Sequence, residues 1–270
     1  MKTSEAPIGV FDSGIGGLTV VRELLRIMPE EGIIYLGDTA RVPYGIRSPE
    51  TVIRYSLEST GFLLSKMIKL LVVACNTASA VGLESIRESS SVPVVGVIQP
   101  GARAAVRGTR NKRIGIIGTD ATVRSDSYLR AIRGFDREIE VFSIACPLFV
   151  PIVEEGWLEG DVPLLTASRY LGGFSEKGID TLVLGCTHYP LLKPVISKVM
   201  DGVSLIDSAT ETADEVRHIL EREGLRRAPG GEPSMAFYVT DSPERFKTVG
   251  ERFLGRRIEN IKQTDLEVRQ

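Results

Sequence analysis

Short apolar runs of strand length recur along this 270-residue chain, each bounded by turn residues. In the first part they are Ile8 to Phe11, Ile33 to Leu36, Leu70 to Cys75 and Val94 to Ile98. Ile114 to Ile117, Val141 to Ala145, Thr181 to Cys186 and Ser204 to Ile206 follow. Several are apolar at almost every position, the pattern of parallel strands covered by helices on both faces. Between these runs the apolar spacing lengthens to that of a helix. One helix opens near Leu18, carries Val21, Leu25 and Met28, and stops before Pro29. Ser48-Pro49-Glu50 supplies an N-cap, a proline at the first helical position and an acid in the first turn. The helix that follows is expected to bury Ile53, Leu57, Leu64 and Ile68. Ser208-Ala209-Thr210-Glu211 reads as a capping box opening a helix that ends at Gly224. Strand and helix alternate almost throughout, which predicts an α/β fold with mostly parallel sheet.

The pattern also echoes itself. Ile8-Gly9-Val10-Phe11-Asp12-Ser13-Gly14 is matched by Ile114-Gly115-Ile116-Ile117-Gly118-Thr119-Asp120, a strand followed by a small hydroxyl and an acid at the turn. Later in each half an apolar strand runs into a cysteine and then polar residues, Cys75-Asn76-Thr77 and Cys186-Thr187-His188. The spacing between the two motifs is similar, 66 residues from Gly9 to Cys75 and 71 from Gly115 to Cys186. Two related α/β units facing each other account for the echo, with strand order left open.

Composition narrows the classes without adding a motif. The hydrophobic share is 43% and the charged share 25%, ordinary for a globular chain. The length suits one large α/β domain or two of ordinary size. A formal charge of -2 gives no basic surplus for a phosphate backbone, so nucleic acid is not an expected partner. No apolar stretch approaches the roughly 20 residues of a bilayer span, and no signal-peptide core opens the chain, so neither membrane nor export is expected. Three cysteines are too few and too odd for a disulfide framework and suit a cytoplasmic protein. Two histidines and three cysteines, scattered, form no metal-ligand cluster.

Ligands of open parallel sheets sit beyond the carboxyl ends of the strands. Cys75 and Cys186 both occupy that position, each expected close to a helix N-terminus that lowers a thiol's pKa. Facing units would set the two thiols across one cleft. Cys146, in Ile144-Ala145-Cys146-Pro147, has no counterpart and is expected to be buried and structural. Glu154 and Glu155 either line the cleft or are solvated. Asp12-Ser13-Gly14-Ile15-Gly16-Gly17 fails the dinucleotide fingerprint, because Thr19 stands where a small residue is needed. It reads as a tight turn whose N–H groups and Ser13 hydroxyl hold a small anion, leaving Asp12 to meet an ammonium. Gly37 to Gly45 follows a strand end. There Asp38 and Arg41 either pair with each other or face the cleft, while Tyr44 and Gly45 are offered to a ligand. His188, two residues past Cys186, is a candidate for proton transfer or carboxylate binding, whereas His218 lies mid-helix and is expected to be exposed. Paired thiols without a metal or cofactor motif point to proton transfer on both faces of one carbon.

These motifs resemble those of the glutamate racemases, within the cofactor-independent aspartate/glutamate racemase superfamily. The resemblance rests on Phe11 to Gly17, Gly37 to Gly45, Ala74-Cys75-Asn76-Thr77-Ala78, Gly118 to Val123, Gly185 to Pro190 and Leu205 to Ser208. Nothing after about Arg226 is diagnostic, and Gln99 stands where an acid is more usual. The resemblance implies two pseudo-symmetric α/β domains, residues 1–97 with 211–270 and residues 98–210, with the active site in the cleft between them. It implies interconversion of L- and D-glutamate without a cofactor or metal, supplying D-glutamate for peptidoglycan. Cys75 and Cys186 would be the acid/base pair, assisted by Asp12, Glu154 and His188. Asp12, Ser13, Tyr44, Gly45, Asn76, Thr77, Thr187 and His188 would contact the substrate. A homodimer is left open. The competing readings are a related racemase for aspartate or a hydantoin, a two-lobed amino-acid-binding protein, and a thiol oxidoreductase, which the lack of a Cys-x-x-Cys motif disfavours.

Overall fold

The computed structural model describes residues 3–230 and 233–266. The strands are β1 Ile8–Asp12, β2 Ile33–Gly37, β3 Leu70–Val73, β4 Val94–Gly96 and β5 Arg113–Gly118. They continue as β6 Glu140–Ala145, β7 Thr181–Gly185, β8 Ser204–Asp207, β9 Met235–Val239 and β10 Ile261–Gln263. The helices are α1 Leu18–Ile27, α2 Pro49–Ser65, α3 Asn76–Val81, α4 Leu83–Ser89, α5 Ile98–Gly108 and α6 Asp120–Arg124. After them come α7 Ser127–Phe135, α8 Phe149–Glu154, α9 Asp161–Ser175, α10 Lys193–Val199, α11 Ser208–Arg222 and α12 Pro243–Leu254.

The strands form two sheets, ordered β10-β9-β2-β1-β3-β4 and β6-β5-β7-β8, with every pairing parallel. The run β2-β1-β3-β4 has the same order as β6-β5-β7-β8, so the sequence echo is a structural one. Even the register repeats: Gly9 lies beside Leu71 in one sheet and Gly115 beside Leu182 in the other. At both glycines a Cβ would press on an isoleucine two residues ahead of the neighbouring strand, 2.6 Å from Ile68 Cδ1 and 2.5 Å from Ile179 Cδ1. Because the halves match, β3 and β7 deliver their following residues, Cys75 and Cys186, to equivalent places.

Two local expectations are corrected. The face of α2 that packs inward is Val52, Ser56, Ser59, Thr60 and Leu63, while Ile53, Leu57 and Leu64 are only half-buried and Ile68 follows the helix. Small hydroxyl residues let the helix lie close, and Ser56 and Ser59 are satisfied by the carbonyls of Val52 and Tyr55. The N-cap of α11 is Asp207 rather than Ser208, its carboxylate accepting the Ala209 N–H at 2.9 Å. The tail, left open by the sequence, also has a place. Residues that look undiagnostic after Arg226 supply β9, β10 and α12 and so widen the first sheet. His218 is exposed on α11 and Cys146 is fully buried, as expected. Among the described residues no helix is long and apolar enough to cross a membrane.

Candidate active site

Cys75 caps α3. Its sulfur accepts the Ala78 N–H at 3.5 Å, and its S–H donates to Ser13 Oγ at 3.4 Å. The expected lowering of this thiol does not occur. Burial, reinforced by the nearby Asp12 carboxylate, pushes Cys75 up to about 12 and outweighs the Ser13 and Ala78 contacts. Cys75 is therefore a thiol at neutral pH.

In the glycine-rich loop one backbone donor is already taken. Asp12, 1% exposed at the end of β1, takes the Gly14 N–H itself at 2.9 Å. Burial raises the Asp12 carboxyl, against the pull of His188 and of the Gly14 and Gly17 N–H groups. The Gly14 N–H is thus committed to Asp12 rather than left for a ligand, and Asp12 itself is not among the residues that line the cleft. The loop glycines are there for space. A Cβ on Gly17 would sit 2.6 Å from Asp12 Cβ, and one on Gly16 would sit 2.1 Å from Thr187 Oγ1 and 2.6 Å from His188 Nδ1.

On the opposite wall Cys186 follows β7, but a four-residue 3₁₀ turn, Tyr189–Leu192, stands where an α-helix N-terminus was expected. The group beside its sulfur is a side chain. His188 Nδ1 is 3.9 Å from Cys186 Sγ, and His188 Nε2 is 3.1 Å from Glu154 Oε1 at the end of α8. Burial opposes a charge on the ring, yet the Cys186 sulfur and the Glu154 carboxylate hold His188 up at about 10. The His188 hydrogen bond in turn keeps Glu154 below the usual carboxylate range, against its own burial. Two residues of α12 brace this pair: Arg245 Nη2 lies 3.3 Å from Glu154 Oε2, and Phe253 meets the His188 ring edge-on at 5.1 Å. Glu155 is exposed.

Ten of the eleven candidate residues line one small cavity of about 70 Å³, and Asp12 is the eleventh. The hydroxyl of Tyr44 is not offered to that cavity, because it donates to Asp38, which also pairs with Arg41 at 2.6 Å. Gly45 packs so closely on Thr119 that a Cβ would come within 2.6 Å of it. Thr119 is a lining residue that the sequence reading passed over, although the echo aligned it with Ser13. Its hydroxyl shares a 2.9 Å hydrogen bond with Thr77. Ile15, Val42, Pro43 and Val150 complete the apolar part of the wall. All three cysteines are free, and among the described residues no group of three His, Cys, Asp or Glu side chains is placed to hold a metal.

Two α/β units of matched topology, each presenting a thiol after its third strand to one small cleft, define a class of two-lobed enzyme. The chain belongs to the Asp/Glu/Hydantoin racemase family, whose model matches residues 8–216. It is 54% identical over 261 residues to a glutamate racemase of Geobacter metallireducens, covering 96% of this chain and 97% of that one. Among solved structures it is similar to the glutamate racemase of Francisella tularensis in complex with D-glutamate, with TM-score 0.93 and 39% identity over 98% and 99% of the two chains. The Thermus thermophilus glutamate racemase in complex with β-chloro-D-alanine is similar at TM-score 0.89 and 48% identity, over 98% and 99%.

Proposed function

We propose that the chain interconverts L- and D-glutamate in the cytoplasm by moving the α-proton between Cys75 and Cys186 without a cofactor, supplying D-glutamate for peptidoglycan. The observation that carries this is the pair of free thiols, one after each matched strand, on a single small cavity. The relatives named for glutamate favour that substrate over aspartate or a hydantoin. The two lobes would be residues 1–97 with 211–270 and residues 98–210. The 210/211 boundary falls in the first turn of α11, which packs on both α1 and α5.

In one direction a sulfur acting as thiolate takes the α-proton. The C–H bond breaks, an S–H bond forms, and the electron pair stays on Cα in conjugation with the carboxylate. The other thiol then delivers its proton to the opposite face and is left as thiolate, so each turnover exchanges the two states. The burial that keeps Cys75 protonated suits it to start as the acid. His188, holding its proton between Cys186 and Glu154, provides positive charge beside the other sulfur. Stabilising the carbanion falls to fixed donors near the carboxylate, for which the Asn76 amide and the Ser13, Thr77 and Thr187 hydroxyls are positioned on the lining.

The test is chiral chromatography of L-glutamate incubated with dialysed protein, in wild type and in Cys75→Ser and Cys186→Ser. Each serine variant is expected to lose racemisation by about a thousandfold or more, within the range for removing an acid/base group. Elimination from a glutamate analogue with a leaving group on Cβ needs one base on one face. Each variant should therefore still eliminate from one enantiomer, and the two should prefer opposite enantiomers. A shared preference would refute the two-base assignment, and loss of wild-type activity on dialysis that pyridoxal phosphate restores would refute the cofactor-free one.

A further inference from the structure

Asn76 is buried, 3% exposed, at the first position of α3 beside Cys75, and it lines the cavity. The two ends of its amide are used unequally. Oδ1 accepts a 2.7 Å hydrogen bond from the Tyr128 hydroxyl, while Nδ2 is buried with no partner. A buried donor without a partner carries a desolvation penalty that an anionic ligand in the cavity would remove. Which end faces that ligand matters, because an amide carbonyl turned towards a carboxylate repels it and the amide NH₂ attracts it.

We infer that Tyr128 is a positioning residue of the active site: by claiming Asn76 Oδ1 from the other lobe, it turns the Asn76 NH₂ towards the substrate carboxylate. The inference rests on the amino-acid racemase reading above. Tyr128, on α7, is only 2% exposed and has little freedom to do anything else. A Cβ on Gly185, the residue before Cys186, would lie 3.1 Å from the Tyr128 ring, and one on Gly101 would lie 3.3 Å from its hydroxyl oxygen. Because an amide oxygen can only accept, the phenolic proton is committed to Asn76 Oδ1. Burial raises the phenol well above its ordinary value, which keeps this donor intact at every working pH.

The contact also crosses between the sheets. Asn76, Thr77 and Ala80 lie along α3, and all three are held by the α6–α7 side: Asn76 by Tyr128, Thr77 by Thr119, and the Ala80 carbonyl by Ser127 Oγ at 2.6 Å. The polarity of Asn76 is therefore set only when the two units are docked as they are here. A lobe movement that parted Tyr128 from Asn76 would free the amide to flip and weaken its grip on a carboxylate.

The experiment is a double-mutant cycle on Tyr128→Phe and Asn76→Ala, read as kcat/KM for L-glutamate, with the Tm of each protein measured alongside. Tyr128→Phe alone is expected to lower kcat/KM by about 5- to 50-fold, and Asn76→Ala by about a hundredfold, the scale of a lost transition-state donor. In the Asn76→Ala background, Tyr128→Phe should cost less than about twofold, because its partner has gone. If the phenylalanine variant does not fold, 4-fluorophenylalanine at position 128 fills the same volume without a donor and takes its place in the cycle. A loss of equal size in both backgrounds, or no loss in either, overturns the role of Tyr128 and leaves the racemase reading standing. A wild-type chain that leaves glutamate unchanged overturns both.

Discussion

His188 shows how one side chain's surroundings can outvote its burial. Buried imidazole ordinarily gives up its proton, but here Nε2 faces a carboxylate and Nδ1 faces a sulfur, and the proton stays. The consequence for stability has a definite sign. A histidine whose folded pKa is raised from 6.5 to about 10 contributes stability that is complete below about pH 6.5 and is lost as the pH climbs through 10. The stability gap between wild type and His188→Gln, measured by urea denaturation across that window, should be largest at the acid end and shrink towards pH 10. A gap that stays constant or widens would show that the imidazole is neutral in the fold. The glycines teach a related lesson. Gly16 adopts no left-handed backbone; it is a glycine because Thr187 and His188 occupy the space a Cβ would need.

Among the elements, α12 is the one whose contribution was invisible beforehand. Nothing in Pro243–Leu254 suggests chemistry, yet Phe253 packs on His188 and Arg245 reaches Glu154. The two contacts differ in weight. Phe253 is fully buried, whereas the Arg245 side chain is 56% exposed and its ion pair is well screened. Phe253→Ala should cost about 3–5 kcal/mol of stability, the usual range for emptying an aromatic site. Arg245→Gln should change stability by less than about 1 kcal/mol and slow turnover no more than about fivefold, the effect of an exposed pair. Denaturation midpoints and initial rates on both variants decide the matter, and the ranking fails if the arginine variant is the less stable of the two. The α2 helix makes the complementary point, since its buried face holds serines that hydropathy alone assigns to solvent.

At the scale of the whole molecule, the chain must return from the second sheet to finish the first. A buried ion pair marks the place. Lys69, just before β3, lies 2.5 Å from Glu31 and donates to the carbonyls of Ser4 at 2.6 Å and of Leu225, beyond α11, at 2.8 Å. Glu31 in turn accepts the Arg227 N–H at 2.9 Å. Both side chains are fully buried, and burial lowers the Lys69 pKa although Glu31 opposes it. Removing one partner strands the other's charge. Lys69→Met should therefore lose about 3–5 kcal/mol, and the double variant Lys69→Met/Glu31→Gln should regain most of it. Equal losses in the single and double variants, read by urea denaturation, would mean that the lysine's contacts with Ser4 and Leu225 matter more than its charge.

The α/β class, the eight strands up to β8, the doubled plan and the two thiols at strand ends were all legible in the sequence. Each is written in local pattern: apolar runs of strand length, cap residues, and two stretches that repeat the same order of residue types. What the sequence could not carry is whatever depends on residues far apart in the chain meeting in space. Thr119 joins the lining because it docks on Gly45 and Thr77, and α12 matters because it packs on a histidine more than fifty residues earlier. The state of Cys75 differs from the local expectation for the same reason. A position at a helix N-terminus can be read from neighbours, and it argues for a lowered pKa. Desolvation depends on everything folded over the thiol, and only the assembled molecule shows that it prevails. Tyr128 and Asn76, fifty-two residues apart, are a last instance, since neither residue carries a sign of the other until the two sheets are docked.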